Sequence, residues 1–141
     1  MKILVLNGPN LNKLGKRDAN QYGNLSLEDI ETKLKEEYPN DIFTSQQSNL
    51  EGDLINWIQS SFKYDGLIIN PGGYTHTSVA IKDALELTQI PKIEVHLSNL
   101  SSREDFRQKQ ITTGSCNGYI SGFREHGYLA AVYLLKRLIK S

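Results

Sequence analysis

The chain contains 141 residues and carries 16 basic and 16 acidic side chains, so its formal net charge at pH 7 is zero. This balance excludes the broad basic surface that nucleic-acid binding or attachment to an anionic membrane requires. The length suits one compact domain, and residues 1–141 are expected to form it. A single cysteine, Cys116, excludes an intrachain disulfide and indicates a reducing compartment.

The first apolar run, at residues 3–6, is shorter than the about 7–15 residues of a signal-peptide core and the about 20 of a membrane span. We therefore expect a soluble, cytoplasmic protein. The run is instead typical of a short buried strand. Residues 25–38 have helical spacing, with Ser26 as the expected cap and Asp29 three positions later. A second strand is expected at residues 41–46.

Residues 50–62 form the second predicted helix, whose apolar stripe includes Leu54 and Phe62. A strand at residues 66–70 and a helix at residues 76–87 follow it. The last predicted elements are a strand at residues 92–96, a weaker strand at residues 119–120 and a closing helix at residues 128–139.

Strands that alternate with helices of this length indicate a parallel sheet with helices on both faces. With five strands, the sequence predicts an α/β domain of the flavodoxin-like, doubly wound kind. Ligands of such sheets bind beyond the carboxyl ends of the strands. The chemistry is therefore expected in three segments that follow predicted strands, at residues 7–22, 70–76 and 96–107.

The connection after the first strand is longer than the about 2–6 residues usual between a strand and a helix. Connections of this length often serve as lids or binding loops. This one offers Asn amides together with Arg17 and Tyr22, and it lacks the GxxxxGK[ST] and GxGxxG spacings of nucleotide phosphate loops. In the alternative interpretation, the Asn side chains cap turns and Arg17 is only solvated.

Residues 70–78 include two glycines, which allow the backbone to approach a ligand closely. Either Thr75 or Thr77 is expected to cap the next helix, where free N–H groups suit a carboxylate. His76 has two interpretations at this point. It is either a ligand-binding side chain or a helix-capping or core histidine.

Glu94, His96 and Ser98 share one face if the strand at residues 92–96 continues through them. A carboxylate beside a histidine raises the basicity of the imidazole and fixes its orientation, which suits a proton donor to a leaving hydroxyl. The alternative is a buried structural pair, with Ser98 and Asn99 as turn residues.

Together these segments resemble the type II 3-dehydroquinate dehydratases over nearly the whole chain. The matching pieces are residues 7–12 (NGPNLN), 14–17 (LGKR), 22–23 (YG), 70–78 (NPGGYTHTS), 94–99 (EVHLSN) and 103–107 (REDFR). The resemblance implies a lyase that dehydrates 3-dehydroquinate to 3-dehydroshikimate by anti elimination through an enolate, without a metal or organic cofactor. It also implies a homo-oligomer in which trimers assemble into a dodecamer.

By this resemblance, Tyr22 is the base that takes the proton beside the ketone, and Arg17 supports that step. His96 is the acid that protonates the departing hydroxyl, and Asn10 orients the catalytic groups. Asn70 is expected to hold the ring and a water near the ketone oxygen. The ring hydroxyls are expected to contact His76, Asp83 and Arg107. The backbone around Leu97 and Ser98 is expected to bind the carboxylate. Asp83 is also expected to reach the site of a neighbouring subunit.

Two places depart from the family pattern. Glu-Pro usually follows the key arginine, whereas this chain has Asp18 and Ala19, so the lid lacks a rigid proline. The segment that contains Arg124, Glu125 and His126 is more charged than usual, and we interpret these residues as surface or subunit contacts.

Two other functions stay open from the sequence, since a fold alone never fixes a function. The first is a flavin- or nucleotide-binding module on the same fold, which a coloured protein with a bound cofactor would favour. The second is an inactive scaffold domain, which ligand binding without turnover would favour.

Overall fold

Five parallel strands form one sheet in the order β2-β1-β3-β4-β5 in the computed structural model, which describes residues 1–140. The predicted flavodoxin-like, doubly wound sheet is therefore confirmed. The strands are β1 (Lys2–Asn7), β2 (Ile42–Gln47), β3 (Gly66–Asn70), β4 (Lys92–His96) and β5 (Gly118–Ser121). The α-helices are α1 (Ala19–Tyr22), α2 (Leu27–Glu37), α3 (Glu51–Gln59), α4 (Val79–Leu87) and α5 (His126–Lys140).

The helices cover both faces of the sheet because successive strand side chains point to opposite faces. In β3, Ile68 packs in a core cluster with α2 and α5, whereas Leu67 and Ile69 pack in a second cluster with α3 and α4. All five residues of β3 are buried, as expected for a central strand of a parallel sheet. None of the helices within residues 1–140 combines the length and the apolarity needed to span a membrane.

The predicted start of the first long helix is confirmed in atomic detail. The Ser26 hydroxyl accepts a hydrogen bond from the Asp29 N–H at 3.1 Å, and the Asp29 carboxylate accepts one from the Ser26 N–H at 3.0 Å. This reciprocal capping box satisfies backbone donors that an uncapped helix would leave without a partner.

The predicted bounds of the next two helices were wrong. Helix α3 ends at Gln59, where the hydroxyls of Ser60 and Ser61 donate to backbone carbonyls of its last turn. Phe62 therefore lies outside the helix and is 77% exposed, so it does not belong to the apolar stripe. Helix α4 starts only at Val79, since Ser78 accepts a hydrogen bond from the Ile81 N–H and neither Thr75 nor Thr77 acts as its cap.

A buried carboxylate joins the two ends of the described chain. Asp41 pairs with the Met1 ammonium at 2.8 Å and with Lys136 of α5 at 2.6 Å. Burial alone raises the pKa of Asp41, but the hydrogen bonds from Lys136 and the Met1 ammonium outweigh it, so the pKa lies below its usual value. Asp41 therefore stabilises the fold above its ordinary pKa, and this contribution is lost as the pH falls through the lowered value.

Replacement of this carboxylate by an amide tests the stabilising pair. Asp41→Asn is expected to lower the free energy of unfolding by about 2 kcal/mol near neutral pH, because it removes a charge from two hydrogen bonds. The loss should already be smaller at about pH 3, because this pH lies below the ordinary pKa of an aspartate and the unfolded chain then binds a proton that the native ion pairs disfavour. Urea unfolding at both pH values measures this difference, with Glu36→Gln on the exposed face of α2 as the control. A loss that does not change with pH would contradict the ionic origin.

Candidate active site

A cleft opens beyond the carboxyl ends of β1, β3 and β4, where the sequence predicts the chemistry. It is lined by Leu11, Arg17, Tyr22, Asn70, Gly72, Gly73, His76, His96, Leu97, Ser98, Leu100, Arg103 and Arg107. The structure therefore brings most of the predicted site residues into one place, although they come from three separate stretches of the chain. Asn10 and Asp83 are the predicted site residues that do not line it.

Tyr22 reaches the cleft from the last position of the short helix α1. The Asp18 carboxylate caps this helix by accepting a hydrogen bond from the Asn20 N–H at 2.9 Å, and Gly23 ends it with a φ of +81°. Asp18, one of the departures from the family pattern, thus has a defined local role. It caps the helix that carries Tyr22, in a segment that lacks a proline.

Two guanidinium groups flank the Tyr22 ring. The Arg17 Cζ atom lies 3.7 Å from the ring centroid, and the Arg103 Cζ atom lies 5.3 Å from it. These distances are within the range of favourable cation–π contacts. Arg17 is therefore not merely solvated, as the alternative interpretation of this loop proposed.

His96 lies at the end of β4 and is held by a buried carboxylate. The His96 Nε2 atom is 2.6 Å from the Glu94 Oε2 atom, and the two residues are 5% and 0% exposed. The hydroxyls of Thr112 and Thr113 donate to the same carboxylate at 2.6 Å and 2.9 Å. Because Glu94 occupies Nε2, the other ring nitrogen, Nδ1, is left for a ligand in the cleft.

His76 occupies the other side of the cleft at the end of a 3-10 turn, Gly72–His76. Its Nδ1 donates to the Lys109 carbonyl at 2.7 Å, which leaves Nε2 as an acceptor. Burial lowers the pKa of His76 and outweighs the bond to Lys109, and the nearby His96 and Arg107 act in the same direction as burial. The ring is therefore neutral at pH 7 and suited to binding a hydroxyl.

The cleft is rich in positive charge although the whole chain is neutral. Arg17, Arg103 and Arg107 all line it. Arg103 donates from Nη1 to the Ser98 hydroxyl at 2.9 Å, and both Arg103 and Arg107 pair with the exposed Glu104. Guanidinium groups at this density suit an anionic ligand such as a carboxylate. Within residues 1–140 there is no group of three or more His, Cys, Asp or Glu residues that suits a metal ion.

Asn10 and Asp83 stand apart from the cleft within one chain. Asn10 is exposed with a left-handed φ of 68°, and its N–H donates to the Asn49 side chain at 3.0 Å. Asp83 lies on the exposed face of α4, so the helix carries it away from the cleft. Their expected roles, in orienting the catalytic groups and in contacting the substrate, are not explained by the geometry of a single chain.

Four residues support the site without having been predicted to do so. Thr112, Thr113 and Arg103 belong to irregular backbone with no periodic pattern, and only Arg103 falls in a quoted motif. Tyr128 of α5 was expected in a helix, but its hydroxyl lies 3.1 Å from Asn70 Nδ2. The contacts of Thr112 and Thr113 with Glu94, of Arg103 with the Tyr22 ring and of Tyr128 with Asn70 do not follow from residue spacing, because they join separate segments of the chain.

Comparison with known proteins agrees with this geometry. The family model of class II dehydroquinases matches residues 1–136. The chain is 51% identical to a 3-dehydroquinate dehydratase of Fusobacterium nucleatum subsp. nucleatum, covering 96% of this chain and 97% of that one. It is 50% identical to a 3-dehydroquinate dehydratase of Clostridium perfringens, covering 100% and 99%.

A solved structure agrees as well. The type II dehydroquinase of Butyrivibrio crossotus superimposes with a TM-score of 0.93 at 47% identity, covering 96% of this chain and 97% of that one. The family model and these relatives each cover nearly the whole chain. The chain belongs to the class II dehydroquinase family.

Proposed function

We propose that this chain is a single catalytic domain, residues 1–141, that removes water from 3-dehydroquinate to give 3-dehydroshikimate. The observation that carries the proposal is the meeting of two pairs in one cleft. Tyr22 lies against Arg17, and His96 is bonded to Glu94. One pair suits proton removal and the other suits proton donation.

The first step is removal of a proton from the carbon beside the ketone. Tyr22 in its phenolate form takes this proton, the electron pair of the broken C–H bond forms a C=C bond, and the C=O π pair moves to the ketone oxygen to give an enolate. Arg17, stacked on the ring at 3.7 Å, stabilises the phenolate and cannot itself give up a proton. Asn70 lies at the cleft, where its amide or a water bound to it stabilises the enolate oxygen.

The second step expels the hydroxyl group. The enolate electrons re-form the ketone, a C=C bond forms beside it, and the C–O bond breaks as His96 gives its proton to the departing oxygen. Glu94 holds the Nε2 atom at 2.6 Å and stabilises the imidazolium before the transfer. Water is the leaving product. Tyr22 then releases its gained proton to solvent and His96 takes a proton up from solvent, which restores both groups for the next turnover.

Substrate binding uses the remaining groups of the cleft. His76 and Arg107 are proposed to contact ring hydroxyls, the backbone around Leu97 and Ser98 to bind the carboxylate, and Asn10 to orient the catalytic groups. No step needs a metal or an organic cofactor, since the ketone of the substrate itself acidifies the proton that is removed.

A direct assay with 3-dehydroquinate tests the proposed function. The conjugated product absorbs ultraviolet light, so turnover should appear as a rise in absorbance that depends on enzyme concentration. Absence of turnover together with a coloured, cofactor-bound protein would favour a flavodoxin-like ligand-binding module. Binding of 3-dehydroquinate without turnover would favour an inactive scaffold.

The stacked arginine gives a further prediction. Arg17→Lys keeps the positive charge but loses the planar group that covers the Tyr22 ring, so kcat is expected to fall about tenfold, in line with the about 1–2 kcal/mol of a cation–π contact at a half-buried site. Steady-state assays measure this, with Lys16→Ala at the neighbouring exposed cation as the control. An unchanged kcat in Arg17→Lys would refute a specific role for the guanidinium.

We propose that the chain forms a homo-oligomer in which trimers assemble into a dodecamer, and that Asp83 reaches a neighbouring subunit's site. Asp83 is flanked one turn away on each side by Val79 and Leu87, which are 58% and 75% exposed. Such an apolar stripe suits burial against another subunit. Light scattering of the purified protein measures the mass of the assembly.

We also propose a cytoplasmic location. Cys116 is the only cysteine and is a free thiol. Burial, together with the nearby Glu94 carboxylate, raises the pKa of Cys116 to about 12, so the thiol is unreactive at neutral pH. A reducing compartment suits such a residue.

A further inference from the structure

Tyr128 is a fully buried residue of α5 that has no part in the steps proposed above. Its hydroxyl lies between the side chains of Asn7 and Asn70, the last residues of the neighbouring strands β1 and β3. Asn70 lines the cleft, so only the Asn70 side chain separates the Tyr128 hydroxyl from the proposed site of reaction.

Hydrogen bonds link Gly72, Asn70, Tyr128 and Asn7 in that order. One backbone group fixes the direction of all of them. The Gly72 N–H can only donate, so the Asn70 side-chain atom 3.1 Å from it must be the oxygen, Oδ1. The Asn70 nitrogen, Nδ2, then faces Tyr128 and donates to its hydroxyl at 3.1 Å. The single Tyr128 hydroxyl proton is consequently left to donate to Asn7 Oδ1 at 2.5 Å.

This arrangement persists across the neutral pH range because burial raises the pKa of Tyr128. The phenol keeps its proton, so it continues to donate to Asn7 and to accept from Asn70. The Asn70 amide carries a second N–H beyond the one that it donates to Tyr128. Since Asn70 lines the cleft, that N–H is available to a ligand or to a water bound beside it.

We propose that Tyr128 is a positioning residue that holds the Asn70 amide so that an N–H, and not the carbonyl oxygen, points into the cleft. The inference rests on the proposed dehydration, in which negative charge develops on the ketone oxygen. A donor aimed at that oxygen stabilises the enolate, whereas a carbonyl oxygen in the same place repels it. Tyr128 thereby acts on the reaction only through Asn70.

A double-mutant cycle tests this dependence. Tyr128→Phe removes the acceptor of the Asn70 Nδ2–H and leaves the amide held by the Gly72 N–H alone, so kcat should fall about tenfold or more while KM stays within about twofold, as for loss of a contact made in the transition state. In an Asn70→Ala background the same change should cost nothing further. An unchanged kcat in Tyr128→Phe, or an equal fall in both backgrounds, would overturn the proposal.

Asn70→Asp tests the direction of the amide directly and remains decisive if Tyr128→Phe does not fold. A carboxylate has the same shape but cannot donate, so Asn70→Asp should lose at least as much kcat as Asn70→Ala. Wild-type kcat in Asn70→Asp would mean that an oxygen faces the cleft, and the proposal would be wrong.

A matched control separates positioning from stability. Tyr38 also donates its hydroxyl to α5, to the Leu129 carbonyl at 2.9 Å, but it lies away from the cleft. Tyr38→Phe should lower the thermal midpoint without changing kcat, and an equal loss of kcat in Tyr38→Phe would reduce Tyr128 to a structural role. Failure of the wild-type chain to turn over 3-dehydroquinate would instead refute the proposed function.

Discussion

Tyr22→Phe is expected to lower kcat by about 10²–10⁴-fold while the protein folds normally and still binds the substrate. The change removes one oxygen atom and leaves the ring on which Arg17 stacks at 3.7 Å, so the lid keeps its packing. What is lost is the group proposed to take the proton beside the ketone. Ultraviolet assays of product formation give kcat, and calorimetric titration gives substrate affinity.

Tyr133→Phe is the matched control for this variant. Tyr133 lies on α5 and is 58% exposed, so the same chemical change occurs far from the cleft. Its kcat should equal that of the wild type. If Tyr22→Phe turns over 3-dehydroquinate at the wild-type rate, another group removes the proton and the proposed base is wrong.

His96→Asn is also expected to reduce kcat by about 10²–10⁴-fold, and to affect KM much less. An asparagine amide comes close to the position of the imidazole Nδ1, so it can still donate a hydrogen bond into the cleft. It has no ionisable proton to transfer, and the departing hydroxyl must leave without an acid. Glu94 keeps the hydroxyl donors Thr112 and Thr113, so the buried carboxylate is not left without partners.

An exposed histidine provides the control for His96. The His126 side chain is 71% exposed at the start of α5 and faces Glu125 at 3.5 Å. His126→Asn should leave kcat and KM unchanged. If His96→Asn weakens substrate binding by the same factor as it lowers kcat, His96 is chiefly a binding group and another residue supplies the proton.

The architecture follows from the sequence because its signals are local and periodic. Buried runs such as residues 66–70 define central strands, and the rule that ligands bind at the carboxyl ends of parallel strands located the segments that hold Tyr22, Asn70 and His96. The prediction that the second helix extends to Phe62 was wrong, and the reason is also local. Hydroxyls of serines compete for the last carbonyls of α3, which apolar spacing does not reveal.

The supporting contacts of the site could not be predicted in this way. The Thr112 hydroxyl meets Glu94, and the Tyr128 hydroxyl meets Asn7 across almost the whole chain, so both contacts depend on the assembled sheet. The region that carries Thr112 consists of short 3-10 turns without periodicity. The expected role of Asp83 was predicted from the sequence, but it involves a second subunit and so cannot be examined in the structure of one chain.

The proposed geometry requires the base and the acid to act from opposite faces of the bound ring. Substrate labelled with deuterium at one or other of the two positions on the carbon beside the ketone measures this directly. The label on the face opposite the departing hydroxyl should be lost to solvent, and the label on the same face should remain in the 3-dehydroshikimate formed. Loss of the label from the same face as the hydroxyl would contradict the assignment of Tyr22 and His96 as opposed base and acid.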